Sequence, residues 1–268
     1  MSTPVDALHS LIQNMGKIAV ALSGGLDSSV LLSFAASVLG KENCLAITVK
    51  TPYMMEMEMS DASDLCEQMG IRRIELELPI PSCIKANPAN RCYLCKKELF
   101  TKLKTLAAKE GFPFLADGTN LDDLGDHRPG MKALAELKIL SPFKEARLGK
   151  DSIRMLASRL GLDTSIIEKP AYACLLTRLE HDTDIDEALL RRIDEAETYL
   201  RDFGLPSCRV RVHGSLARIE IPVNMWQTVL RHDTASRICT RLSHLGFDPV
   251  TLDLAGYKRG SMNPKNGR

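Results

Sequence analysis

Ile18-Ala-Val-Ala-Leu-Ser-Gly-Gly-Leu-Asp-Ser-Ser-Val30 is the stretch from which the rest of this chain is read. A run of small and β-prone apolar residues stops at Ser23-Gly24-Gly25, and an amphipathic pattern opens at Asp27-Ser28-Ser29. The spacing predicts a buried strand, a tight turn, and a helix whose first turn carries hydroxyls and a carboxylate. Two glycines let the backbone bend with positive φ and leave no Cβ between main chain and ligand. Unpaired N–H groups at the helix start, together with its dipole, make a seat for an anion such as phosphate.

Neither G-x-x-x-x-G-K-[ST] nor G-x-G-x-x-G occurs here, which sets aside the two commonest glycine-loop readings. Ser23-Gly-Gly-Leu-Asp-Ser28 resembles the S-G-G-x-D-S loop of the PP-loop ATP pyrophosphatases. That resemblance implies a loop that holds the β- and γ-phosphates of ATP while the bond between α and β is cut and AMP passes to an acceptor. Ser23, Gly24, Gly25, Asp27 and Ser28 are then the expected phosphate-binding residues, and Asp27 also a residue that places Mg²⁺. The plainer reading is a glycine-rich turn with an aspartate helix cap. The loop says nothing about the acceptor.

With 268 residues the chain has room for one large domain, or a core domain with a smaller companion. Its 35 basic and 34 acidic residues leave a net charge of +1, so no global polyanion-binding character is present and nucleic acid is not an expected partner. Met1-Ser-Thr-Pro-Val-Asp6 lacks a basic segment leading into an apolar one, and no apolar run approaches about 18 residues. With no membrane partner indicated, eight cysteines read as reduced thiols in a cytoplasmic protein.

Strand and helix patterns alternate through the first half. Helix 7–15 leads into strand 18–22, followed by helix 27–39, strand 44–49, helix 56–69 and a half-exposed strand 73–78. A proline-rich loop over 79–88 precedes helix 92–109, strand 112–117 and a polar loop over 118–129. Such alternation predicts a parallel sheet covered on both faces, with ligands at the carboxyl ends of its strands. Beyond about residue 180 the pattern changes. A charged helix beginning at His181–Glu187 and running to Phe203, strands 209–213 and 217–221, a long helix 223–246 and strand 249–254 predict a small α+β unit. The expected division is therefore 1–180, 181–260 and a disordered tail over 261–268.

Asn90-Arg-Cys-Tyr-Leu-Cys-Lys-Lys97 puts Cys92 and Cys95 at a helix start, where the dipole, Lys96 and Lys97 favour thiolates. Half a zinc site, part of an iron–sulfur site, a redox dithiol and two unrelated cysteines all fit this pattern. Pro170 ends the preceding helix, so Cys174 falls in a loop between Lys169 and Arg178. That setting suits a reactive thiol, although from these residues alone a buried core cysteine is the favoured reading. Cys44, Cys66, Cys83, Cys208 and Cys239 have no such company and read as core or surface positions.

The loop, R-C-Y-x-C-K-K, D-G-T-N-x-D-D with R-P-G, S-P-F-K-E-A, K-P-A-x-A-C-L, and R-V-R-x-H-G-x-L-A-R-I-E over Arg209–Glu220 follow one another in that order. Over roughly 15–255 this resembles the LarE family, ATP-dependent sulfur transferases that make the nickel-pincer nucleotide cofactor of lactate racemase. The resemblance implies an α/β, adenine nucleotide alpha hydrolase-like PP-loop domain with a smaller C-terminal α+β domain. It implies adenylation of the carboxylates of pyridinium-3,5-biscarboxylic acid mononucleotide and their conversion to thiocarboxylates. Some members sacrifice one cysteine, at the position of Cys174. Others hold a 4Fe–4S cluster on three cysteines, and Cys92, Cys95 and Cys174 place this chain with them. ATP, Mg²⁺ and the cluster are the implied cofactors, and a homo-oligomer, as large as a hexamer, the implied assembly.

Arg209 and Arg211 alternate with valine and share one strand face. They are expected to bind the substrate phosphate, or else to line a solvent-facing edge. Asp122, Asp123 and Arg128 are further expected contacts on the loop after the fourth strand, where a solvated charged loop is the alternative. A PP-loop tRNA thiolation enzyme and an adenine-nucleotide-binding module without sulfur chemistry are the competing functions.

Overall fold

The computed structural model of the protein describes residues 3–125, 129–258 and 260–262. The strands of the first half are β1 (Ile18–Ala21), β2 (Cys44–Lys50), β3 (Arg73–Glu77) and β4 (Phe114–Ala116). Strands β1, β2 and β4 are apolar on both faces because both faces are covered, whereas the edge strand β3 alternates and is half-exposed. Ile18, Val20 and Leu22 join Cys44, Ala46 and Ala116 in one core, while Ala19 joins Leu45, Ile47, Val49 and Leu115 in the other. All pair in parallel, in the order β3-β2-β1-β4.

Helices α1 (Pro4–Met15), α2 (Leu26–Leu39) and α3 (Glu56–Met69) pack on the first core through residues such as Leu8, Leu31 and Leu65. α4 (Arg91–Lys109) and α5 (Pro129–Glu136) close the second through Leu99, Leu103 and Leu134. Thr3 starts α1 with a reciprocal capping box to Asp6. The expected α/β fold with a parallel sheet is what the chain adopts. Strand order reverses between β1 and β4, so the crevice beyond their carboxyl ends is the place for a ligand.

The stretch between β4 and Pro170, for which pattern alone gave only a helix ending before Pro170, folds into α5, α6 (Pro142–Glu145), α7 (Lys150–Arg159) and α8 (Thr164–Ile167). Their apolar faces are short, and Phe143, Ile153 and Leu156 complete the first core.

Two compact units divide the chain. One comprises Met1–Thr51, Glu56–Cys83 and Asn90–Tyr172; the other comprises Pro52–Met55, Ile84–Ala89 and Ala173–Arg268. The second unit contains α9 (Glu187–Asp202), β5 (Arg209–His213), β6 (Leu216–Glu220), α10 (Trp226–Val229), α11 (His232–His244) and β7 (Val250–Leu252). β5 and β6 form an antiparallel hairpin, and β7 joins β6 in parallel. α9 starts later than expected because Asp186 caps it, accepting from Ala188 N.

The long helix expected over 223–246 is broken at Arg231, whose backbone is extended. Val229 and Ile238 are both buried. Nine residues at about 100° each would put them on opposite sides of one straight helix, so the break lets both reach the core. Among the described residues no helix is long and apolar enough to cross a membrane. Arg128 and the tail beyond Met262 lie outside the described residues.

Candidate active site

In the first unit, Gly24 has φ +73°, and a Cβ there would stand 2.1 Å from the Glu58 carbonyl oxygen of α3. Only glycine fits that turn. Gly25 is the N-cap of α2 and provides no side-chain cap, so the first-turn N–H groups have no partner within their own helix. Ser28 is buried, and its hydroxyl donates to Gly25 O at 3.1 Å, accepts from Ser23 N at 3.2 Å and lies 3.1 Å from Ser23 Oγ. Ser23 and Ser28 therefore brace the loop as well as border it.

Two lysines meet this loop from distant parts of the sequence. Lys150, the first residue of α7, bonds Asp27 Oδ2 through Nζ at 2.6 Å. Lys169 donates to Gly24 O at 2.7 Å and pairs with Asp61. Pattern reading placed Lys169 as a cation beside Cys174; instead its ammonium is committed to the phosphate loop. Asp122 accepts from Lys150 N at 2.7 Å and so caps α7, which orients Lys150. Asp123 is buried and accepts from Asn120 N at 3.1 Å. For Asp123 this replaces the solvated loop weighed as an alternative.

The loop after β4 touches the start of α2 through Gly118, where a Cβ would come within 2.8 Å of Ser28 N. Beside it, Asp117 accepts from the hydroxyls of Thr119 and Ser141. Gly118→Ala is expected to push the two loops apart and weaken ATP binding about tenfold while the protein stays folded, as titration of a fluorescent ATP analogue would report. Unchanged affinity would show that the close approach is incidental.

Cys92 is exposed and Cys95 half-buried near the start of α4, whose N-cap Asn90 makes no side-chain capping bond. All eight cysteines are free thiols. Burial pushes Cys44 and Cys66 up to about 11, and Cys208 to about 12, so these three stay protonated and unreactive near neutral pH. Among the described residues no group of three or more His, Cys, Asp or Glu side chains is arranged to hold a metal ion.

Cys174 belongs to the second unit and starts a 3₁₀ turn, Leu175–Arg178. It is half-buried, whereas Leu175 and Leu176 beside it are buried at 1% exposure. Arg178 is fully buried, and its fork meets Glu197, also fully buried, at 2.8 and 2.7 Å. Arg209 and Arg211 are buried too, which removes the solvent-facing alternative. Arg211 bonds Glu220 through Nε and Nη2 and donates to Thr177 O at 2.7 Å through Nη1. Arg209 donates to Cys208 O and lies over the Tyr257 ring.

Residues 2–99 match the NAD synthase family model. A pyridinium-3,5-bisthiocarboxylic acid mononucleotide synthase from Lactiplantibacillus plantarum is 33% identical over 266 residues, spanning 98% of this chain and 95% of that one. The chain belongs to the LarE family. An uncharacterized Synechocystis protein is 36% identical over 98% of both chains, and one from Methanocaldococcus jannaschii is 34% identical over 90% of this chain and 91% of its own. This LarE-family chain is an ATP-dependent enzyme of the PP-loop superfamily. Lys150 went unread in the sequence, and Gly118 was read only as part of the D-G-T-N-x-D-D motif, with no role of its own.

Proposed function

We propose that the chain is a sulfur transferase that uses ATP to activate carboxylates of pyridinium-3,5-biscarboxylic acid mononucleotide and converts them to thiocarboxylates. The observation that carries this reading is an uncapped glycine loop at the switch point of a parallel sheet, in a chain similar along its whole length to a synthase of the bisthiocarboxylic nucleotide. A carboxylate resists a sulfur nucleophile because its charge repels the thiolate and oxide is a poor leaving group. Attack of a carboxylate oxygen on the α-phosphorus of ATP expels pyrophosphate and leaves an acyl adenylate. Sulfur attack at that carbonyl then expels AMP. Gly24, Gly25 and the first turn of α2, with Ser23 and Ser28, receive the β- and γ-phosphates, and Lys150 and Lys169 add positive charge beside them. Asp27, which is bonded to Lys150, is the residue that would hold Mg²⁺ beside the phosphates, where the ion would neutralise their charge.

Cys92, Cys95 and Cys174 are the thiolates proposed to hold a 4Fe–4S cluster. In support, Cys92 and Cys95 share one helical turn and none of the three is deeply buried. A cluster held by these three thiolates would supply an iron able to take up an extra sulfide for transfer. Arg209 and Arg211 stay in the proposal as contacts to the substrate phosphate, from buried rather than solvent-facing positions. Cytoplasmic location and a homo-oligomeric state complete it.

Pyrophosphate release from ATP is expected to require the biscarboxylic nucleotide, and bulk tRNA to have no effect. Anaerobically purified protein is expected to contain near four irons per chain, and Cys174→Ser to lose them. Release stimulated by tRNA would overturn the substrate. Iron-free protein whose Cys174 becomes dehydroalanine on turnover would replace the cluster with a sacrificed cysteine.

A further inference from the structure

We infer that Arg178 is a positioning residue for Cys174, and that Glu197 and Thr177 complete the device. This rests on the reading of Cys174 as the residue that handles sulfur. Arg178 Nη1 donates to Ala173 O at 2.7 Å, to Cys174 O at 3.3 Å and to Thr177 Oγ1 at 2.8 Å. Its Nε and Nη2 are both taken by Glu197, whose Oε1 also accepts from Val210 N at 2.9 Å. The guanidinium is thus anchored to α9 and β5, and its Nη1 reaches the two peptides that flank the Cys174 α-carbon together with the Thr177 hydroxyl.

Thr177 ties the same knot from the other side. Its hydroxyl donates to Cys174 O at 3.0 Å, its N–H donates to the same oxygen at 3.1 Å, and its own carbonyl is held by Arg211. Leu175 N donates to Tyr53 O at 2.9 Å, and the side chains of Leu175 and Leu176 point into the core. With backbone and neighbours fixed, the Cα–Cβ bond of Cys174 has one direction, and Cys174 is the residue of this trio left accessible. A buried ion pair is a weak device for stability, because apolar residues of the same volume do as well or better. Its use here suits orientation, since a planar fork fixes acceptors in space as an apolar contact does not.

Thr177→Val, Thr177→Ser and Arg178→Lys in the full chain test this. Thr177→Val keeps the Arg178–Glu197 pair and hence the fold, which a thermal melt confirms. In iron-free protein at one fixed pH, alkylation of Cys174 by a neutral maleimide is expected to quicken about tenfold in Thr177→Val and Arg178→Lys, and to return towards wild type in Thr177→Ser. Sulfur transfer is expected to fall by a similar factor, while pyrophosphate release holds. Wild-type alkylation rates in the two folded variants would overturn the inference, as would a parallel fall in pyrophosphate release. Alkylation reads the orientation of the thiol whatever its chemistry. Loss of the sulfur-handling reading would therefore show as normal turnover in Cys174→Ser, separately from this outcome.

Discussion

Replacing Gly24 by alanine is expected to abolish pyrophosphate release. At φ +73° an alanine is strained by about 1–2 kcal/mol, and its methyl would lie 2.1 Å from Glu58 O, well inside contact distance. The obstacle is backbone of α3, not the tip of a flexible side chain, so either the helix or the loop must shift. A loop displaced by even about 1 Å no longer presents its N–H groups to the phosphates, and rate losses of about a hundredfold follow from errors of that size. Lys169, bonded to Gly24 O, would be moved as well. Pyrophosphate release and ATP titration on the folded variant check this. Wild-type ATP affinity would show that phosphate is bound elsewhere.

Glu197→Ala is expected to destabilise the protein by about 3–5 kcal/mol, because it strands the fully buried Arg178 without its counter-charge. Denaturant unfolding measures this, and a loss below about 1 kcal/mol would mean that water or another carboxylate replaces Glu197. The same pair makes stability depend on acid. Burial by itself would raise the carboxyl of Glu197, but the Arg178 guanidinium, its hydrogen bonds, Arg209 and Val210 N outweigh burial and hold it below the ordinary range. The folded state therefore binds this proton less readily than the unfolded chain does. Its contribution is complete above the unfolded value of about 4.3 and is lost as pH falls through the lower, folded value. Stability of the wild type is expected to fall steeply below about pH 4, and Glu197→Gln to show a shallower slope there.

How much could be read in advance depended on the range of the interactions. The strand, turn and helix around Ser23–Ser28 followed from contiguous residues: β-prone residues, then glycines, then an amphipathic run. The parallel sheet followed from the alternation of strand and helix patterns along the first half of the chain. Within the 129–167 stretch α6 and α8 were not legible, because they are single turns of four residues, too short to show a period. The helix expected over 223–246 failed for the opposite reason. Its apolar residues were counted as one series, whereas Val229 and Ile238 belong to two helices of different phase.

By itself, the sequence determined that a phosphate loop stands near the start of this chain, that the loop sits at the edge of a parallel sheet, and that the motifs follow one another in the order of the LarE family. It did so because such features are written in neighbouring residues or in the order of motifs. Only the tertiary structure decided what the cations do. Lys150 reaches Asp27 across 123 residues and Lys169 reaches Gly24 across 145, while Arg178 turns inward to Glu197. A lysine or arginine is a charge on a long, flexible stem, and its letter is the same in water, on a loop or in the core. Which partner it meets is set by the packing of remote elements, and no local pattern carries that information.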